Sequence, residues 1–117
     1  MRMSALQGRT APSAAEPVVA EIVRRLIEVY HPERIYLFGS AARGEAAPDS
    51  DYDFMVVVPD DTPREVRETR AVFKVLNDID APIDVLVWTR QEFDERLHLR
   101  VSFPSTIVSE GKLLYAA

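Results

Sequence analysis

Hydrophobic positions recur along the chain with two different periods. In EPVVAEIVRRLIEVYHPE, Val18, Ile22 and Leu26 return every fourth residue. Val19, Val23, Ile27 and Tyr30 widen that stripe, and Glu21, Arg24, Arg25 and Glu28 fall opposite it. This period predicts an amphipathic helix, opened by Pro17 in its first turn and ended by His31-Pro32. RIYLF (Arg34–Phe38) reads as a short strand closed by Gly39. SAARGEAA has the composition for a turn or two of helix. DYDFMVVV (Asp51–Val58) reads as a second strand, and its unbroken apolar end, Phe54–Val58, suits a strand covered on both faces.

TPREVRETRAVFKVLND predicts the next helix. Thr62 and Glu65 make a T-x-x-E capping box with Pro63 at the first helical position. Val66, Thr69, Phe73 and Leu76 form the inward stripe, with Val72 beside it. PIDVLVW (Pro82–Trp88) reads as a third buried strand. Thr89-x-x-Glu92 is a second capping box, starting a short helix through Phe93 and Leu97. SFPSTIVSEGKLLYAA predicts a short helix, a stop at Gly111 and a small strand, Leu113–Tyr115. Helix and strand alternate throughout, so the fold class is α/β, a sheet of about 3–4 strands with helices packed on it.

Composition narrows this. The chain has 117 residues, 47% hydrophobic and 28% charged, which predicts one domain, placed at residues 14–117 behind a flexible tail, 1–13. A formal net charge of −5 argues against direct binding of a polynucleotide, which needs a basic face. It leaves open a nucleotide held through a metal ion. With no cysteine in the chain, disulfides and thiolate metal sites are excluded. No run approaches the ~20 apolar residues of a membrane span, and the N-terminus lacks the apolar stretch of a secretory signal. No membrane association and a cytoplasmic location are expected.

The candidate chemistry gathers around LFGSAARGEAAPDSDYDFMVVV. Gly39-Ser40 follows a strand and opens a possible helix, where backbone N–H groups and the Ser40 hydroxyl could hold a phosphate. A Gly-Ser turn alone is weak evidence. Asp51 and Asp53, at alternate strand positions, point to one side and would repel unless a cation sits between them. Hard carboxylate oxygens suit Mg²⁺; a solvated strand entry capped by Asp49-Ser50-Asp51 is the plainer alternative. Asp84 interrupts an apolar strand. A buried carboxylate there needs an arginine (Arg34 or Arg90), strong hydrogen bonds or a metal. If the third strand lies beside the second, Asp84 can join the same cation site. His31 and His98 read as surface residues. Trp88 and Phe38 read as core or rim packing rather than base-stacking platforms, and EVRETR as a solvated helix face.

Gly39, Ser40, ten residues, Asp51 and Asp53 together make G-S-x10-D-x-D. By composition, four fixed residues at set spacing arise in such a chain on the order of once in a thousand. The pattern resembles the nucleotidyltransferase superfamily related to DNA polymerase β, in its minimal (MNT) form. The fuller F-G-S-x-A-R-G-E-x-x-x-x-S-D-x-D resembles MNT domains encoded beside HEPN-domain proteins. PIDVLVW is similar to the family's third-carboxylate strand, and IVSEGKLLY to its usual end. The resemblance implies a polymerase β palm-like α/β (α+β) fold, a mixed sheet of about 3–4 strands flanked by helices, and transfer of NMP, AMP from ATP first among them, to a hydroxyl. It implies Gly39 and Ser40 on the triphosphate, Asp51 and Asp53 on two Mg²⁺ ions, and Asp84 sharing one and activating the acceptor. Arg43 matches a family arginine, either on phosphate or paired with Glu45. Relatives that modify antibiotics or RNA carry extra domains, so an acceptor supplied by a partner protein is the expectation. In MNT/HEPN pairs the MNT protein is the antitoxin, which binds the HEPN ribonuclease toxin and transfers AMP to one of its tyrosines. Two further functions stand beside this one: an antitoxin acting by sequestration alone, and a small-molecule nucleotidyltransferase completed by a second subunit. Homo- or hetero-oligomers are open.

Overall fold

The computed structural model describes residues 16–39, 52–68, 70–99 and 102–117. The expected tail at 1–13, the boundary at 14 and the helical turn after Ser40 lie outside them. The elements run α1 (Glu16–Tyr30), β1 (Arg34–Phe38), β2 (Tyr52–Val58), α2 (Arg64–Arg67), α3 (Arg70–Leu76), β3 (Ile83–Thr89), α4 (Arg90–Leu97), α5 (Phe103–Glu110) and β4 (Lys112–Ala116). They build a mixed sheet in the order β3-β2-β1-β4. β1 pairs antiparallel with both β2 and β4. β2 and β3 are parallel, joined by the crossover through α2 and α3, as parallel neighbours require.

Side-chain alternation splits the interior into two layers. Ile35 and Leu37 of β1, Phe54, Val56 and Val58 of β2, and Val85 of β3 face α1 and α3, where Val19, Ile22, Leu26, Tyr30, Val72 and Leu76 close the first core. Tyr36, Met55 and Val57 face the other way, against Phe93 of α4 and Ile107 of α5. β2 therefore buries every residue from Phe54 to Val58, as its apolar run predicts. α1 ends where expected: His31 adopts a positive φ of 47° before Pro32, and its N–H donates to the Ile27 carbonyl at 2.9 Å. Histidine is among the residues that tolerate this region singly.

Three local expectations are corrected. The Thr62 capping box does not form. Pro63 is itself the N-cap of α2, with ψ 147°, and it offers no side-chain acceptor. The predicted long helix is broken at Glu68, whose ψ of 138° is extended. The interruption shifts the helical phase, so Val72 and Leu76 are buried but Phe73 is 48% exposed. Finally, β3 is an edge strand, with alternate residues Asp84 and Leu86 exposed rather than buried. The second capping box is present as predicted: the Glu92 N–H donates to Thr89 Oγ1, and the Thr89 N–H donates to Glu92 Oε1 at 2.8 Å. A further box, Ser102 with Ser105, starts α5. Among the described residues, no helix is long and apolar enough to cross a membrane.

Candidate active site

Gly39, Asp53 and Asp84 meet at one end of the sheet, where β1 finishes and β2 and β3 begin. Asp53 is the antiparallel partner of Phe38 and the parallel partner of Asp84. Register partners share a face, so the Asp53 and Asp84 side chains project together from the face of Met55 and Val57. Asp53 is half-buried and Asp84 is exposed. Gly39 has a φ of +79°, and a Cβ built on it would lie 2.5 Å from Asp53 Oδ2. Only glycine permits both that backbone conformation and so close an approach of main chain to carboxylate.

The arginine partners open to Asp84 in the sequence reading are engaged elsewhere. Arg34 donates to Asp94 at 2.8 Å and lies over the Phe93 ring. Arg90 pairs with Glu33 and Asp60, both at 3.4 Å. Asp84 needs neither, because its side chain is exposed to water. Ser40, Arg43 and Asp51 lie outside the described residues, so the proposed triad is described here only through Asp53 and Asp84. Among the described residues, no group of three or more metal-ligating side chains is clustered. The donor set that is present still fits a hard divalent cation: two carboxylates in register on one face, beside a glycine that keeps side chains away.

The same face carries an aromatic cluster. The Phe103 ring meets Phe38 edge-on at 5.4 Å and Trp88 at 5.8 Å. Trp88 in turn meets Phe93, which stacks on Tyr36. Phe38 and Trp88 are partly buried members of the second core, the packing role expected of them. Phe103 is different, with 40% of its surface exposed. In sequence it stands four residues before Ile107 and looks like part of the same buried stripe; only the tertiary placement of α5 separates them. A shallow cleft of about 610 Å³ is lined by Arg67, Glu68, Arg70 and Phe73. It lies on the helices of the opposite layer. The in-register carboxylates and Gly39 lie elsewhere, at one end of the sheet.

The fold has known counterparts. A candidate nucleotidyltransferase from Sulfolobus solfataricus superposes with a TM-score of 0.54 at 24% identity, over 86% of this chain and 78% of that one. A chain of the complex of tri-AMPylated Shewanella oneidensis HEPN toxin with MNT antitoxin superposes with a TM-score of 0.56 at 20% identity, over 89% and 74%. A chain of a toxin–antitoxin structure with AMP-PNP gives a TM-score of 0.55 at 23% identity, over 83% and 73%. Comparison with curated proteins yields no match. The nucleotidyltransferase domain model matches residues 18–114, nearly the whole sheet and its helices, and the chain belongs to that family.

Proposed function

We propose that this protein is a Mg²⁺-dependent nucleotidyltransferase that moves AMP from ATP to a hydroxyl of a partner protein, as the MNT-type antitoxin of a HEPN ribonuclease toxin in the cytoplasm. The observation that carries the reading is the in-register pair Asp53–Asp84 beside Gly39. Family membership supports the reaction class, and the likeness to chains of MNT/HEPN complexes supports the choice of acceptor.

In this reading Gly39 and Ser40 hold the triphosphate, with Arg43 as a further phosphate contact. Asp51, Asp53 and Asp84 hold the divalent ions, which when bound neutralise triphosphate charge and favour departure of pyrophosphate. The acceptor oxygen bonds to the α-phosphorus as the bond to pyrophosphate breaks. Asp84, exposed on its edge strand, takes the hydroxyl proton. The other residues orient rather than react: Gly39 keeps the main chain close to Asp53, and the Asp53–Asp84 register fixes the spacing of the carboxylates.

Incubation with radiolabelled ATP, Mg²⁺ and the co-purified partner tests this. Label should appear on the partner, and Asp51→Asn or Asp53→Asn should abolish it while the fold survives. Persistent labelling in both variants contradicts the assignment. Partner binding without nucleotide binding in the wild type would mean sequestration instead.

A further inference from the structure

We propose that Phe103 is the stacking platform for the base of the nucleoside triphosphate. The proposal rests on the reading of Asp53 and Asp84 as the metal-triphosphate site and adds what the nucleoside meets there.

The apolar floor starts directly beside the acids. Phe38 is the cross-strand partner of Asp53, about 5 Å away between Cα atoms. Leu86 is the next residue after Asp84 on the same face and is 39% exposed. Phe103 stands on this floor as the first residue of α5, held edge-on by Phe38 and Trp88 at 88° and 64°. Pro104 and Ile107 anchor the helix behind it, both buried. These contacts fix the ring at a steep angle to its neighbours, and Phe103 keeps 40% of its surface accessible. A base stacking there meets a ring already fixed by packing, so little side-chain freedom is lost on binding. Phe38 and Trp88 are the pedestal and Phe103 is the surface. Arg96 over Trp88, at 5.6 Å, closes the far end of the cluster.

The test compares ATP with inorganic triphosphate, each with Mg²⁺, on the full chain by titration calorimetry. Trp88, the only tryptophan, is a second reporter because its ring adjoins Phe103. Phe103→Leu should weaken ATP binding about tenfold, the scale of one lost base–aromatic stack, and leave triphosphate binding unchanged. Phe103→Tyr, which keeps the ring, should retain ATP affinity. Trp88 emission should respond to ATP but not to triphosphate in the wild type, and lose that response in Phe103→Leu. Equal ATP affinity in the wild type and Phe103→Leu overturns the platform alone, as does an equal loss of ATP and triphosphate binding. Loss of partner labelling with ATP affinity intact moves Phe103 to the acceptor side and overturns the platform. A wild type that binds neither ligand overturns the underlying site together with the platform.

Discussion

At the scale of single residues, Asp53 and Asp84 show what spacing reveals and what it hides. Their convergence was legible, because an acid in each of two adjacent strands falls on one face when the strands pair in register. Asp84 reads as buried from its apolar neighbours but is exposed in the structure. Its neighbours Ile83, Val85, Leu86 and Val87 are apolar, and nothing in PIDVLVW separates an edge strand from a central one. The difference has a measurable consequence. A buried unpaired carboxylate would be relieved by Asp84→Asn, with a clear gain in stability. An exposed one should change stability by no more than about 0.5 kcal/mol, while Mg²⁺-dependent ATP binding falls. Thermal melts and calorimetry on the same variant separate the two. Tyr30 is the opposite case. The residue is 2% exposed, and its hydroxyl has no hydrogen-bond partner among the described residues. Burial pushes its pKa up from 10.0 to about 12. A folded pKa above the unfolded one means full stability below pH 10.0, lost progressively as pH rises toward 12. Tyr30→Phe should be neutral or stabilising by up to about 1 kcal/mol at pH 7, since it removes an unsatisfied buried hydroxyl. It should also flatten the alkaline limb of a pH–stability curve, and a marked loss at pH 7 would reveal a partner for the hydroxyl.

At the scale of elements, two identical signals had different fates. T-x-x-E occurs at Thr62 and at Thr89, but only Thr89 caps. Thr62 precedes a proline that becomes the N-cap itself, so its hydroxyl sits one position too far out. The order of strands and helices was legible because each has its own hydrophobic period. The break between α2 and α3 was not, because the polar run RETR looks the same on a continuous helix as on an interrupted one. A continuous phase puts Phe73 in the core, whereas the interrupted one leaves it exposed. Substitution should separate the two caps. Thr89→Ala should cost about 1 kcal/mol by removing a satisfied N-cap, and Thr62→Ala should cost only a few tenths. Urea denaturation of both variants measures the difference, and equal losses would mean that Thr62 caps α2 in solution.

At the scale of the whole molecule, Arg25 ties the helical layer together across the first core. From α1 it reaches the turn after α3, donating to Asp78 at 2.5 and 3.2 Å and to the Val75 carbonyl at 2.6 Å. Its Nε also donates to Glu21 at 2.7 Å. Hydrogen bonds from Arg24 first, and then Arg25, hold the Glu21 carboxyl down from 4.5 to about 2. The hydrogen bond from Arg25 lowers Asp78 below its ordinary 3.8. Folded values below the unfolded ones mean that this stabilisation is present above pH 4.5 and is lost as pH falls toward 2. Solvent and salt screen these exposed carboxylates, so the effect belongs to the network rather than to any one pair. Arg25→Met keeps the apolar stem and removes the charge. The melting-temperature gap between wild type and Arg25→Met should hold steady near neutral pH and narrow between pH 4.5 and 2, as the carboxylates gain protons. It should not vanish, because the bond to the Val75 carbonyl does not titrate. Added salt at pH 7 should narrow it in the same direction. A gap equal at pH 2 and pH 7 would show that Arg25 joins the layer through packing and its carbonyl bond, with the carboxylates contributing nothing.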